Sequence, residues 1–125
     1  MTFPPLVLEA LRVKHEVDIE TRSPKGEVHR VTIWVVVSGG VPYVRSVRGA
    51  KGRWFRELMR HGDGAVLVGR QRVPVHARLV TDAAENVRVS EAIQEKYDRP
   101  RASVLAMIRP EVIPTTARLE AATGA

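Results

Sequence analysis

The first half of the chain alternates apolar and polar residues, which is the period of a half-buried β-strand. In the first such run, Val17, Ile19 and Thr21 fall on one side and charged residues fall on the other. A Ser-Pro-Lys-Gly turn and a Gly39-Gly40 turn divide this region. The pattern therefore predicts a meander of three antiparallel strands over 16–22, 27–38 and 41–47.

Apolar residues spaced three and four apart indicate helices in four places. One apolar stripe runs from Trp54 to Met59, and another has residues at i, i+4 and i+8 from Val89 to Tyr97, with Ser90 as a candidate N-cap. The helices are expected over 6–13, 51–60, 82–97 and 101–108.

Three more strands are expected over 65–69, 72–81 and 115–120, because each run is apolar or alternating and is bounded by turn residues. Five or six mostly antiparallel strands with helices inserted late predict an α+β fold, a small barrel whose mouth is covered by helices. A chain of 125 residues has the usual size of one domain, so we expect a single domain over 1–125.

Composition narrows the class of protein. Hydrophobic residues make up 44% and charged residues 27% of the chain, as in ordinary globular proteins. No apolar run approaches the ~20 residues that span a bilayer, and no targeting signal is visible. The absence of cysteine excludes disulfides and thiolate ligands and fits a cytoplasmic protein. The net charge of +6 favours an anionic partner, such as a phosphorylated cofactor, a nucleic acid or an acidic substrate.

The strand over 27–38 carries the first candidate for chemistry. From position 31 to position 37 one of its faces is wholly apolar, whereas the other face presents Arg30, Thr32 and Trp34. That second face predicts the wall of a binding site. In the alternative interpretation, Arg30 and Thr32 face solvent and Trp34 packs under a helix.

The segment after the next strand carries the second candidate. Where this strand ends and the next helix begins, the sequence contains two glycines together with Arg45, Ser46 and Lys51. Unpaired N–H groups at a helix start and cations beside it suit a phosphate. Lys51 opposes the helix dipole unless an anion lies between them, although it could also be an ordinary surface lysine. The glycine spacing matches neither a Walker loop nor a dinucleotide fingerprint.

Other chemistries find little support in the sequence. The four histidines are scattered without i, i+4 pairing or a nearby acidic partner, so no metal site is expected. Ser46 lacks the context of a nucleophile elbow, and no carboxylate pair sits in an apolar setting. Hydrolytic activity is therefore disfavoured.

A family resemblance rests on six segments of the sequence. They are Glu20-Thr21-Arg22, the strand 31–37, Tyr43-Val44-Arg45-Ser46-Val47, Trp54-Phe55-Arg56, Glu95-Lys96-Tyr97 and Thr115-Thr116-Ala117-Arg118-Leu119. Over about residues 8 to 120 the chain resembles a bacterial domain-of-unknown-function family that is grouped with split β-barrel flavin-binding proteins. Wider relatives are the pyridoxamine phosphate oxidases and the deazaflavin-dependent nitroreductases.

The resemblance implies a split β-barrel, FMN-binding-like, that forms a homodimer with FMN or a deazaflavin between the barrels. It implies that the cofactor phosphate is held by Arg30, Arg45, Ser46 and Lys51. Thr32 and Trp34 would then lie beside the ring. Arg supplies a rigid fork for phosphate oxygens and Trp a flat apolar surface, so this assignment is physically reasonable.

Three functions are consistent with these observations. The leading hypothesis is a flavin- or deazaflavin-dependent oxidoreductase that reduces a small electrophile of the nitro-compound or quinone class. A cofactor-free split-barrel interaction protein is the alternative. Nucleic-acid binding comes third; its support is the sequence pI of 10.5 and a cluster of cations at positions 45, 48, 51, 53, 56 and 60. Against it, the aromatic residues near this cluster lie on an apolar helix stripe rather than on a stacking surface.

Overall fold

The computed structural model describes residues 2–122, which form seven strands, four α-helices and two short 3-10 helices. The strands are β1 (Val17–Arg22), β2 (Val28–Ile33), β3 (Val36–Ser38), β4 (Val41–Val44), β5 (Asp63–Val68), β6 (Gln71–Leu79) and β7 (Ala117–Ala121). The helices are α1 (Pro5–Val13), α2 (Arg53–His61), α3 (Ala83–Lys96) and α4 (Arg101–Ala106), and the 3-10 helices are Gly49–Lys51 and Ile113–Thr115. The predicted α+β class is confirmed.

All strands belong to one antiparallel sheet with the order β2-β1-β5-β6-β7-β4-β3. β2 and β3 follow each other in the chain, yet they lie at opposite edges of the sheet. The sheet must therefore curl, and only Trp34 and Val35 connect its two edges. The prediction of one continuous strand over 27–38 was wrong, because its first half pairs with β1 and its second half with β4.

Side chains from the end of α3 satisfy the backbone at this junction, which no strand pairs. The Val35 N–H donates to the Tyr97 hydroxyl at 3.2 Å, and that hydroxyl donates to the carbonyl of His15 at 2.7 Å. Lys96 Nζ donates to the carbonyls of Val35 at 2.6 Å and Leu11 at 2.9 Å. Burial lowers the pKa of Lys96 to about 8. The end of α3 therefore holds the two edges of the sheet together.

The predicted N-cap of α3 and the predicted start of α2 differ from the structure. α3 begins at Ala83 because Asp82 caps it, with the Asp82 carboxylate accepting a hydrogen bond from the Glu85 N–H at 2.8 Å. The prediction of Ser90 as the N-cap was wrong, since Ser90 lies inside α3. α2 begins at Arg53, after the short 3-10 helix that contains Lys51.

Two clusters of buried side chains form the core. The barrel interior includes Ile19, Leu58 and Val75, which are fully buried, and α2 closes one end of it. The second cluster lies under α3 and α4 and is centred on Tyr97. The apolar stripes predicted for α2 and α3 are confirmed by the burial of Trp54, Phe55, Leu58, Val89, Ile93 and Tyr97.

Three side chains occupy places that the sequence pattern did not predict. The alternation over 72–81 puts Leu79 on the inward side with Val73 and Val75, but Leu79 is 47% exposed at the end of β6. The helical spacing puts Glu57 on the side facing away from the core, but it is buried and accepts hydrogen bonds from the Thr21 hydroxyl at 2.8 Å and from His29 Nδ1 at 3.0 Å. His29 thus has an acidic partner that the sequence did not reveal, because α2 brings it from 28 positions away.

Glu20 on β1 was also expected to face solvent, but it is only 6% exposed. Its carboxylate bridges Arg30 on β2, with a contact of 3.0 Å, and Arg72 on β6, with a contact of 2.7 Å. The hydrogen bond from Arg72 holds the pKa of Glu20 below its usual range, and Arg30 adds to this effect while burial opposes it. The carboxylate therefore links three strands, β1, β2 and β6, and the contact with β6 reaches across the intervening β5.

Because the pKa of Glu20 is lowered in the folded protein, its contribution to stability is present above its ordinary pKa of 4.5. That contribution is lost as the pH falls through the lower folded value. We expect Glu20→Gln to unfold more easily at pH 7 and to lose less stability than the unsubstituted protein between about pH 5 and pH 2. Urea unfolding over this pH range measures the effect. Glu120→Gln, at a more exposed carboxylate on β7, is the control, and equal acid dependence of the two variants would contradict the prediction.

Candidate functional site

A cleft of about 810 Å³ lies between the end of β2, the segment that follows β4, the start of α2 and one side of α4. Its apolar lining comes from Val31, Ile33, Trp54 and Ala106, together with Met107 just after α4. The volume falls within the range of small-molecule sites, about 300–1,000 Å³. The cleft can therefore accommodate a ligand with a flat apolar part.

The start of α2 makes one end of this cleft positive. Gly52 caps the helix without a side-chain hydrogen bond, and the first turn contains no acidic residue. The first N–H groups of a helix lack partners within it, so they and the helix dipole favour an anion here. Arg48 and Arg53 are exposed and line the same end. This end of the cleft combines backbone donors with two cations.

Glycine is required at two positions of the turn that leads into α2. Gly49 has φ of +68°, and its carbonyl accepts hydrogen bonds from the Ser46 hydroxyl at 2.8 Å and from the Gly52 N–H at 3.1 Å. A Cβ on Gly52 would collide with the Ser46 hydroxyl oxygen. The backbone and Ser46 therefore fix the shape of the turn, as the two glycines suggested.

Arg45 lines the cleft, but its guanidinium is buried and hydrogen-bonded within the protein. The residue is 2% exposed. Its Nε donates to the Thr116 hydroxyl at 2.7 Å, and its other nitrogens donate to the Ser90 hydroxyl, the Met107 carbonyl and the Asn86 carbonyl at 2.9 to 3.1 Å. A guanidinium has five N–H donors, and these hydrogen bonds use four of them, so one donor has no partner within the protein. Arg45 therefore connects α3, the end of α4 and the approach to β7.

Burial lowers the pKa of Arg45 to about 10, which still leaves the guanidinium charged at neutral pH. Its positive charge thus contributes to the potential of the cleft even though most of its donors are occupied. Ser46 is also buried, and its N–H donates to the Thr115 hydroxyl at 2.9 Å. The direct contact of Arg45 and Ser46 with a cofactor stays a prediction.

Trp34 and Thr32 also line the cleft. The Trp34 ring is stacked on the Tyr97 ring, with centroids 3.9 Å apart and an angle of 7° between the planes, and His15 meets both rings edge-on. The Thr32 hydroxyl donates to the Asp18 carboxylate at 2.7 Å on the exposed face of β2. Trp34 is thus both packed against a helix side chain and part of the cleft wall, which combines the two interpretations of this strand.

The structure does not bring Arg30 and Lys51 into the lining of the cleft. Arg30 lies on the outer face of the sheet, where it is paired with Glu20. Lys51 is exposed in the 3-10 helix before α2. Of the six residues predicted from the sequence, the structure therefore gathers Thr32, Trp34, Arg45 and Ser46 around the cleft.

Sequence reasoning counted Arg48 and Arg53 in the cluster of cations between positions 45 and 60, but it did not name them among the six cofactor-binding residues, and it assigned no role to α4. The two arginines flank the Gly49–Gly52 turn that the sequence did single out, so the turn was the available signal. The sequence offers no comparable sign for the residues of α4. They line the cleft because of where α4 packs, which the local sequence does not reveal. No group of three or more His, Cys, Asp or Glu side chains suited to a metal ion occurs within residues 2–122.

No helix in the described part of the chain has both the length and the apolar character to cross a membrane. Comparison of the sequence with curated proteins finds no match. Comparison of the fold with solved structures finds several similar chains at low sequence identity. These likenesses show a shared fold, the split β-barrel.

One similar structure is a proposed pyridoxamine 5'-phosphate oxidase from Listeria innocua, with a TM-score of 0.64 and 16% identity over 96% of this chain and 92% of that one. Another is the heme storage protein HutZ from Vibrio cholerae, with a TM-score of 0.63 and 14% identity over 99% and 93% of the two chains. A third is a proposed 5-nitroimidazole antibiotic resistance protein from Bacteroides thetaiotaomicron, with a TM-score of 0.62 and 12% identity over 93% and 77%.

The family resemblance seen in the sequence is confirmed by a match to a family model. The model describes an uncharacterized protein conserved in bacteria and matches residues 7–119, which include all strands up to β7 and every residue that lines the cleft. The chain therefore belongs to the bacterial family DUF2255.

Proposed function

We propose that this protein binds FMN or a deazaflavin in the cleft and acts as an oxidoreductase on a small electrophile of the nitro-compound or quinone class. The observation that carries the proposal is the pairing of apolar walls with a positive end at the start of α2. A cofactor that consists of a flat ring and an anionic tail has the same two parts. Its ring suits the apolar walls, and its tail suits the positive end. The bound cofactor would supply hydride transfer, and the protein would bind and orient it.

The apolar lining suits the ring of such a cofactor. Val31, Ile33 and Met107 offer a surface that excludes water, and Trp34 adds an aromatic ring that is held in place by its stacking on Tyr97. Flat rings gain most from burial against such surfaces. Ala102 lines the cleft and is exposed, so a substrate could reach the ring from solvent on this side.

The positive end suits the phosphate. Arg48 and Arg53 would contribute their guanidinium groups, and the first N–H groups of α2 would donate to phosphate oxygens. Arg45 and Ser46 would act chiefly by holding the turn and the end of α4 in place, with the remaining donor of Arg45 available to the ligand. This division of roles differs from the sequence hypothesis, in which the phosphate was held directly by Arg30, Arg45, Ser46 and Lys51.

The similar structures support this class of function, because they include a proposed pyridoxamine 5'-phosphate oxidase and a proposed nitroimidazole resistance protein. The heme storage protein suggests a different cofactor. Heme commonly takes an axial histidine, and no histidine lines the cleft within residues 2–122. A flavin therefore fits this cleft better than heme does. The homodimer implied by the resemblance also remains a proposal, with the second subunit covering the open side of the cleft.

We expect Arg53→Gln to weaken the binding of FMN by at least tenfold, because a hydrogen bond to a charged group contributes about 1.5–3 kcal/mol. Titration of the purified protein with FMN, followed by flavin fluorescence and absorbance, measures the affinity. Arg70→Gln removes the same charge from the exposed turn between β5 and β6 and is the control, for which affinity should change less than about twofold. Equal losses in both variants that fade together with salt would contradict a specific phosphate site.

A cofactor-free interaction protein is the second candidate, and one observation favours it. The buried guanidinium of Arg45 already has four partners in the protein. The buried polar atoms without a partner in the described residues, Asn86 Oδ1 and Arg118 Nε, belong to residues outside the cleft lining. If neither FMN nor a deazaflavin changes its absorbance spectrum on mixing with the protein, this candidate replaces the oxidoreductase.

The structure weakens the third candidate, nucleic-acid binding. It rested on six cations between positions 45 and 60, but the Arg45 guanidinium is buried and unavailable to a nucleic acid. Trp54 and Phe55 are buried in the barrel core, so they offer no stacking surface.

A further inference from the structure

A second cavity, the arginine groove, lies beside the outer face of α2. It has a volume of about 390 Å³ and is lined by Pro24, Arg53, Arg56, Glu57 and Arg60. Pro24 belongs to the turn between β1 and β2, so the groove is built from two separate parts of the chain. The surface of the groove is almost wholly apolar, so it comes from the proline ring and the carbon stems of the arginines, and the three guanidinium groups extend from it toward solvent.

Helical geometry places the three arginines in a row. Positions 53, 56 and 60 are related by i, i+3 and i+7, so their side chains leave α2 on one face. With a rise of 1.5 Å per residue, the row is about 10 Å long. All three residues are exposed, which leaves their charged ends free to meet a ligand from solvent.

The carboxylate in the groove forms its close ion pair with His29 and not with any of these three cations. Glu57 is turned toward the sheet, where it accepts hydrogen bonds from Thr21 and His29. Among the residues that the structure describes, no carboxylate lies within 4.0 Å of the guanidinium nitrogens of Arg53, Arg56 or Arg60. By contrast, Arg12, Arg22, Arg30, Arg72, Arg78 and Arg109 each have an acidic partner.

We propose that the arginine groove binds a small multivalent anion, a polyphosphate or a polycarboxylate, and that its occupant competes with the ligand of the cleft for Arg53. Three unpaired cations within one short row repel each other, and a multivalent anion relieves that repulsion through charge-assisted hydrogen bonds. A monovalent anion engages one arginine at a time and gains much less.

Arg53 connects the two cavities because it lines both of them. A guanidinium drawn toward an anion in the groove is withdrawn from a phosphate at the start of α2. The two ligands therefore oppose each other, and each must weaken the other by the same factor. This second half of the proposal rests on the proposed function, whereas the groove itself does not.

Calorimetric titration of the cofactor-free protein with sodium tripolyphosphate, and separately with citrate, tests the groove. We expect saturable binding that Arg56→Gln/Arg60→Gln weakens at least tenfold. Arg70→Gln/Arg88→Gln is the control, because it removes two charges from exposed positions outside both cavities. If tripolyphosphate binds and citrate does not, the groove is specific for polyphosphates. If both anions bind, the groove recognises multiple negative charge rather than phosphate. Equal weakening in the two double variants would overturn the proposal by showing diffuse attraction, and so would tighter binding of random single-stranded DNA than of either anion.

Titration with FMN at saturating tripolyphosphate tests the competition. We expect the affinity for FMN to fall several-fold in the unsubstituted protein and to stay unchanged in Arg56→Gln/Arg60→Gln. Tripolyphosphate bound in the groove without any effect on FMN affinity would overturn the competition. Failure of FMN to bind under any condition would instead refute the proposed function, and the direct titration would still decide whether the groove binds anions.

Discussion

Replacing Arg45 with alanine should lower the free energy of unfolding by about 3 kcal/mol or more, the largest effect expected for any of the site residues. The substitution leaves the carbonyls of Asn86 and Met107 without their donor in a buried region. Each buried polar group that loses its partner costs about 1–3 kcal/mol, and the cavity left by the side chain adds to this. Urea unfolding followed by circular dichroism measures the loss.

Arg48→Ala is the matched control for this substitution, because Arg48 lies three residues away and is exposed. Its unfolding free energy should change by less than about 0.5 kcal/mol. Arg45→Lys should fall between the two, since an ammonium group can reach only some of the four acceptors. A stable Arg45→Ala protein with weakened FMN binding would restore Arg45 to the direct role that the sequence suggested.

Replacing Trp34 with alanine should cost about 3 kcal/mol of stability and also weaken FMN binding. The substitution removes a large side chain that is stacked at 3.9 Å on Tyr97 and that forms part of the cleft wall. Loss of a packed tryptophan costs about 3–5 kcal/mol when it is fully buried, and aromatic stacking contributes about 0.5–1.5 kcal/mol beyond the buried area. Trp34 is only partly buried, so the lower end of the range applies.

Trp34→Phe separates the two roles of this residue. Phenylalanine keeps a ring against Tyr97, so most of the stability should return, while the smaller wall leaves FMN binding weaker than in the unsubstituted protein. The measurements are urea unfolding of the cofactor-free protein and titration with FMN. Unchanged stability in Trp34→Ala would show that the stack with Tyr97 contributes nothing to the fold.

The fold could be predicted from the sequence where the signal was local. Alternation and turn residues located the strands, and apolar spacing located α2 and the buried stripe of α3. The break at Trp34 and Val35 could not be predicted, because every residue in 27–38 suits a strand. Which edge of the sheet each half joins depends on β1 and β4, which are partners distant in the chain.

The sequence pointed to the turn that borders the candidate cleft, but not to the contacts that its side chains make. The turn from Arg45 to Gly52 does border the cleft, because glycines and a helix start are visible in the sequence. The burial of Arg45 was not visible, since its partners come from positions 41 to 71 residues away. For the same reason the partners of Glu57 and Glu20 could not be seen, and both residues were expected to face solvent.

The junction at Val35 has a consequence for hydrogen exchange. In most of the sheet, an amide proton is protected by a neighbouring strand, and its exchange with solvent deuterium requires the strands to separate. The Val35 amide is protected by the Tyr97 hydroxyl instead. Its exchange therefore reports the undocking of the end of α3, a local opening that can occur while the barrel stays intact. The exchange of this single backbone amide thus records how often the end of α3 leaves the junction between β2 and β3.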